Sequence, residues 1–269
     1  MRRRENFGKG ALPRMEEAEQ YGAGGEEMAY RTLRASFSFV VRNPLIPHGK
    51  KFLEKDFLVV ENGLPFVIEI KNWKGEISMA GENFRQVKAD GTVKEHKNPA
   101  GTTGQFVREF KQYYGFDGDV VGVVAFLDPE CKLDLPEREE GIFLLPFAKI
   151  VSFIRATAKR LSGEFVLEEA RVLRCTRLYS GDREFCKGLL VDRYLRCKAR
   201  GRKTISLDTT KLKYITVKKR PFFMGYQLLV TFSNGDAGIF RAKNQTLVVG
   251  CLDGSFCRFS LGKLRYLVF

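Results

Sequence analysis

Lys55-Asp56-Phe57-Leu58-Val59-Val60-Glu61-Asn62-Gly63-Leu64-Pro65-Phe66-Val67-Ile68-Glu69-Ile70-Lys71-Asn72-Trp73-Lys74-Gly75 is the stretch around which the chain is organised. Two apolar, β-branched runs flank Asn62-Gly63. That dipeptide suits a two-residue type I′ turn, which needs φ > 0 at both central positions. Such a turn fixes the register: Phe57 faces Ile68, Val59 faces Phe66, and Asp56 faces Glu69. Lys71 follows on the same face as Glu69, because side chains alternate along a strand.

Two carboxylates opposed on an apolar ribbon are costly. At about 5 Å and an effective dielectric of about 20, their repulsion is on the order of 3 kcal/mol. A shared proton, the neighbouring lysine or a divalent cation would offset it. An all-oxygen donor set favours a hard ion such as Mg²⁺ or Mn²⁺. The plainer reading has the strand ends emerging at the surface with their charges solvated.

The chain has 269 residues, 44% of them hydrophobic and 12% aromatic, enough for a packed core and for one large or two smaller domains. Its net charge of +14 is uneven: residues 1–160 hold 25 basic and 23 acidic side chains, residues 161–269 hold 21 and 9. A polyanion, nucleic acid or an anionic lipid surface, is the natural partner for the basic half. No apolar stretch follows the charged N-terminus, and Gly141–Ile154 is too short and too polar to cross a bilayer. The six cysteines contain no Cys-x-x-Cys pair, and His48 and His96 are the only histidines. That spacing argues against a structural zinc site and against histidine general-base catalysis. It favours reduced core thiols in a cytoplasmic protein.

Read in order, residues 1–20 form an irregular or weakly helical lead-in. Gly22-Ala23-Gly24-Gly25 is punctuation before a helix from about Glu26 to Ala35. No Gly-Lys-Ser/Thr follows it, so it is no phosphate loop. Glu26, Ala29 and Leu33 share a helix face, which sets Glu26 either as a first-turn dipole partner or as an inward carboxylate. A strand at Phe37–Val41 precedes a loop at 43–47, and then comes the hairpin. Glu76–Met79 prolongs the sheet. Residues 81–104 are a loop region with one short hairpin, and Gln105–Tyr114 is a helix capped by Gly115. Asp119–Leu127 is an apolar strand covered on both faces. After an acidic loop, a strand at Ile142–Leu145 leads into a helix at Phe147–Lys159. This is an α/β layer arrangement, a mixed sheet flanked by helices.

A boundary falls between 160 and 185. Beyond it short strand-like runs recur: Leu189–Cys197, Thr204–Val217, Tyr226–Phe232, Gly238–Ala242, Thr246–Cys251, Ser255–Phe259 and Leu264–Phe269. Turn signals separate them, the pattern of a small all-β barrel or sandwich.

With these elements placed, residues 15–160 resemble the NERD (nuclease-related) domain of the PD-(D/E)xK restriction-endonuclease-like superfamily. The matching residues are Gly22-x-x-Gly25-Glu26 opening a helix, Asp56 in Glu54-Lys55-Asp56, and Glu69-Ile70-Lys71-Asn72-Trp73-Lys74-Gly75, with Asn98-Pro99 and Gln105 downstream. Lys55 stands where the family usually has isoleucine. Gly101–Gly104 separate Gln105 from Asn98-Pro99 more widely than the family pattern. The resemblance implies that Asp56, Glu69 and the Ile70 carbonyl hold Mg²⁺ (or Mn²⁺) and that Glu26 adds a direct or water-mediated ligand. Lys71 would orient the attacking water or stabilise the phosphorane, and Gln105 would position the water or Glu26. Trp73 is best read as a core anchor.

The second half, 183–269, more distantly resembles a PH-like or GRAM-like β-barrel, and an SH3-like barrel has much the same pattern. Its basic runs, Lys198-x-Arg200-x-Arg202-Lys203 and Lys218-Lys219-Arg220, suit phosphates without sequence preference, as does Lys74. The expectation is a Mg²⁺-dependent nuclease, DNA favoured, with a basic β domain for grip or recruitment. Its rivals are a non-catalytic binding module that keeps the fold, and a factor recruited to an anionic membrane or acidic protein.

Overall fold

The structure is a computed structural model that describes residues 17–168, 171–180, 183–191, 194–198, 204–219, 225–232 and 236–268. The hairpin forms as its turn dictates. Strands β4 (Phe57–Glu61) and β5 (Leu64–Lys71) pair antiparallel, with Phe57 opposite Ile68 and Val59 opposite Phe66. Asn62 and Gly63 have φ of 47° and 68°. The tip is pinned from outside: the Gly163 and Phe165 amides donate to the Asn62 and Gly63 carbonyls, each at 3.0 Å. A Cβ on Gly63 would lie 2.1 Å from the Gly163 carbonyl oxygen, so glycine is needed there for space as well as for its φ.

β5 is central in a six-stranded mixed sheet. It is flanked by β4 and β1 (Phe39–Arg42) on one side, and by β9 (Val121–Phe126), β12 (Ile142–Pro146) and β11 (Arg138–Glu139) on the other. β5, β9 and β12 run parallel. Strand alternation sends Phe66, Ile68 and Ile70 into a core with Ala29 and Leu33 of helix α1 (Glu17–Ser36) and with Ile150, Ile154 and Ala158 of helix α3 (Ile150–Leu161). Leu58 and Val67 face the opposite layer, against Phe106 and Phe110 of helix α2 (Pro99–Tyr114). The result is the expected α/β layering. Glu69 and Lys71 share Val67's parity and so lie on the α2 side.

Several local expectations give way. Gly22–Gly25 are helical, inside α1 rather than before it. Packing overrides the low glycine propensity: a Cβ on Gly25 would come within 2.6 Å of Leu127 Cδ2 and 3.1 Å of Asn72 Nδ2. Helix α2 starts at Pro99, not at Gln105, with Asn98 as N-cap accepting from the Ala100 amide and proline in the first turn, so Gly101 and Gly104 are also helical. Residues 43–47 are not a loop. Strand β2 (Leu45–His48) pairs with β3 (Lys51–Glu54) in a two-stranded edge, where Pro47 is tolerated. Glu76–Met79 does not prolong the main sheet. It belongs to β6 (Glu76–Ala80) in a four-stranded sheet with β7 (Asn83–Val87), β8 (Val93–Lys97) and β10 (Lys132–Asp134). That sheet packs Ile77 and Phe84 on Phe126 and Leu144.

From β13 (Cys175–Ser180) onward the chain is all β, a ten-stranded antiparallel array with its own core of Leu178, Leu195, Ile215, Leu228, Val249 and Leu267. Leu189–Cys197 and Thr204–Val217 each divide into two strands: β14 (Arg183–Leu190) and β15 (Tyr194–Lys198), then β16 (Thr204–Asp208) and β17 (Leu212–Lys219). The β2–β3 edge is the platform for this region. The Leu45 amide donates to the Leu173 carbonyl, the Cys175 amide to the Asn43 carbonyl and the Phe52 amide to the Leu252 carbonyl, at 2.8 to 3.0 Å. Among the described residues no helix is long and apolar enough to cross a membrane.

Candidate active site

The carboxyl end of β5 and the entry to β4 bring Asp56, Glu69 and Lys71 together. Asp56 lies in the bend before β4, and its Oδ2 accepts the Ile70 amide at 2.6 Å. The Glu69 carboxylate is held by two lysines: Lys71 Nζ on Oε1 at 2.5 Å and Lys55 Nζ on Oε2 at 2.9 Å. Lys55 Nζ also donates to Thr102 Oγ1 of α2 at 3.2 Å. Lys55 is a lysine only 5% exposed and its role was not read from the sequence. It stands between two acidic residues in a segment that leaves strand geometry after Glu54, so alternation says nothing about where it points.

The two carboxyls diverge electrostatically. Burial, then the charges of Glu69 and Glu26, push Asp56 up to about 8. Burial acts on Glu69 in the same direction, but the Lys71 and Lys55 ammonium groups outweigh it and hold that carboxyl below its ordinary value. Without a cation, burial and the neighbouring carboxylates oppose ionisation at Asp56, whereas two lysines favour it at Glu69.

Glu26 projects from α1 near enough to act on Asp56, and it faces two arginines: Arg42 Nη2 at 4.0 Å and Arg177 Nη2 at 3.7 Å. Arg42 also binds Glu27 at 2.8 Å and lies over the Tyr30 ring. Arg177 comes from β13. Its cross-strand neighbour Lys187 on β14 pairs with Glu54 at 2.5 Å, so the all-β region lays a basic pair against the acidic end of the sheet. Burial opposes the Arg177 charge, but Glu26, Glu54 and Glu184 hold the guanidinium above its ordinary range. Among the described residues, Arg177 Nε is buried without a hydrogen-bond partner. Arg177→Ala is expected to lower the unfolding free energy by about 3 kcal/mol, because it strips a buried charge network of one member. Urea titration checks this, and an unchanged midpoint would show that the arginine does not tie the two regions together.

Gln105 is one turn beyond Thr102, and its amide meets His48 Nε2 at 3.3 Å rather than Glu26; His48 in turn binds Glu109 at 2.8 Å. Trp73 is packed as a core anchor, stacked on His96 with centroids 4.1 Å apart and edge-on to Phe84 and Phe126. Lys74 is exposed, and its carbonyl accepts from Gln86.

In the all-β region the register assembles a basic row that the sequence did not show. Lys218 on β17 is opposite Gln227 on β18 (Tyr226–Phe232), Gln227 is opposite Arg241 on β19 (Ala237–Ala242), and Arg241 is opposite Lys198 on β15. Directly paired residues share a face, so Lys198, Arg241 and Lys218, all exposed, form a stripe about 14 Å long at the usual strand spacing. Lys219 alternates to the other face. Arg200, Arg202, Lys203 and Arg220 lie outside the described residues.

None of the curated proteins matches the chain. One family model does: the stretch from within α1 to just past β9, which supplies Glu26, Asp56, Glu69 and Lys71, matches the model of NERD, the nuclease-related domain, over residues 21–127.

Proposed function

We propose that the protein hydrolyses nucleic-acid phosphodiester bonds, DNA by preference, at the Asp56–Glu69–Lys71 centre with Mg²⁺. The observation that carries this reading is geometric: two buried carboxyls in mutual conflict, Asp56 on the Ile70 amide at 2.6 Å and Glu69 between Lys71 and Lys55, converge at the end of β5. A divalent cation relieves that conflict. The donors fit Mg²⁺, being oxygens throughout. Asp56 and Glu69 would hold the cation, and the Ile70 carbonyl would join them, since a strand residue's C=O leaves on the same side as its N–H and that N–H meets Asp56. Bound Mg²⁺ supplies Lewis-acid polarisation of the scissile phosphate and acidifies a coordinated water.

The chain's own groups do the rest. Lys71, held on Glu69, places an ammonium where charge develops on the phosphate. Lys55 keeps Glu69 oriented and anchors it to α2 through Thr102. Glu26, held by Arg42 and Arg177 and close enough to act on Asp56, would meet the metal through a water. The all-β region, read as a small barrel or sandwich and as a second unit over 183–269, offers the Lys198–Arg241–Lys218 row to backbone phosphates without sequence preference.

The test is incubation of the full chain with plasmid and single-stranded DNA in Mg²⁺ or EDTA, beside Lys71→Ala. Cleavage should need Mg²⁺ and fall at least about a hundredfold in the variant. Undiminished cleavage by Lys71→Ala would overturn the site. No cleavage under any condition, with DNA binding retained, would support the non-catalytic module instead.

A further inference from the structure

Three thiols converge in the all-β region. Cys186 lies on β14, Cys251 on β20 (Thr246–Cys251) and Cys257 on β21 (Phe256–Ser260), adjacent strands in that order. The pairing sets Gly188 opposite Cys251 and Val249 opposite Cys257. Parity then puts all three side chains on one face, with the missing side chain of Gly188 between them. Sγ of Cys251 is 3.8 Å from Cys186 and 3.3 Å from Cys257, and all three sulfurs lie within 4.8 Å of one another. Cys131, Cys175 and Cys197 stay outside this cluster.

We infer that Cys186, Cys251 and Cys257 form a binding site for a thiophilic d¹⁰ cation, Zn²⁺ or Cu⁺. The geometry is the argument. With metal–sulfur bonds of about 2.3 Å, tetrahedral or trigonal angles put the ligand sulfurs about 3.8 to 4.0 Å apart. Two of the spacings, 3.3 and 3.8 Å, lie within about 0.7 Å of that value and the third is within 4.8 Å, so small side-chain shifts bring the three sulfurs to ligand spacing. Sulfur-only donors select soft or borderline ions over Mg²⁺, which keeps this site chemically separate from the carboxylate centre. A carboxylate stands next to it: Asp253, in the β20–β21 turn, acts electrostatically on Cys257 and is held by the Ser255 amide and hydroxyl. It stays outside the cluster of ligand atoms, so a water would take the fourth position for Zn²⁺, whereas Cu⁺ is satisfied by the three sulfurs.

The full chain, reduced and stripped of metal, is titrated with Cd²⁺ as a spectroscopic probe, then with Zn²⁺ and Cu⁺ in competition with chromophoric chelators. One equivalent should raise an ultraviolet thiolate-to-metal charge-transfer band and the Tm together. Cys257→Ser, the substitution least disturbing to the core, should abolish both, and Cys131→Ser should leave both intact. Displacement of Cd²⁺ by Zn²⁺ at one equivalent identifies the four-coordinate form. Displacement by Cu⁺ alone identifies the three-coordinate one. Absence of a stoichiometric band, or a band that survives Cys257→Ser in a folded protein, overturns the inference. None of these readouts depends on DNA cleavage.

Discussion

Glu69→Gln lowers Mg²⁺-dependent cleavage by about a hundredfold to a thousandfold while the protein stays folded, whereas Glu69→Ala loses both activity and about 3–5 kcal/mol of stability. The difference arises from Lys55. Its ammonium is buried, and its partners are Glu69 Oε2 and Thr102 Oγ1. Glutamine keeps an oxygen acceptor for that ammonium but not the charge a cation needs. Alanine strands a buried positive charge, a large loss against the 5–15 kcal/mol that typically holds a domain together. The double variant Lys55→Met/Glu69→Ala removes both charges and should recover most of the stability and none of the activity. Urea unfolding and plasmid cleavage on the four proteins separate the effects. Wild-type cleavage by Glu69→Gln would remove Glu69 from the metal. Wild-type stability of Glu69→Ala would show that Lys55 has another partner.

This coupling marks the limit of what the sequence displays. Asn62-Gly63 fixed the register of β4 and β5, because a two-residue turn leaves one pairing, and that register alone juxtaposed Asp56 and Glu69. Leu33 with Ala29, and Phe106 with Phe110, announced the helix faces that cover the sheet. Lys55 was not legible, since the chain bends between Glu54 and Phe57 and strand parity fails there. The same holds for Asn43–His48: prolines marked a loop, but an edge strand accommodates Pro47 and becomes the platform for the all-β region. Gly22–Gly25 and Gly101–Gly104 were read as breakers, although Asn98-Pro99 already carried a cap signal and packing at Gly25 outweighs propensity. Arg177, Arg241 and the Cys186–Cys251–Cys257 cluster depend on pairings between strands distant in sequence, and no local pattern encodes those.

The titration of Asp56 yields a second large effect, on stability without metal. Its unfolded-state value is near 3.8 and its folded value is about 8, so the folded protein binds the proton more tightly. Below pH 4 both states are protonated and the stabilising contribution is complete. As pH rises toward 8 the unfolded chain ionises while the folded one does not, and stability falls by about 1.4 kcal/mol per pH unit until the folded carboxyl also ionises. Glu69 has the opposite sign: its folded value is depressed, so its contribution is present above 4.5 and is lost as pH falls through the lower folded value. The two windows are therefore separate, and Asp56 governs the neutral range. In EDTA the Tm should drop by several degrees between pH 6 and pH 8, at about 2–4 °C per kcal/mol for a chain of this size. Saturating Mg²⁺ should restore most of that loss at pH 8, because the cation binds the ionised carboxyl that the folded protein otherwise resists forming. Asp56→Asn should flatten the slope and remove the Mg²⁺ response together. A metal-free Tm that stays level across this range, or an equal Mg²⁺ response in Asp56→Asn, would mean that the carboxyl is ionised in the folded protein and that the cation binds elsewhere.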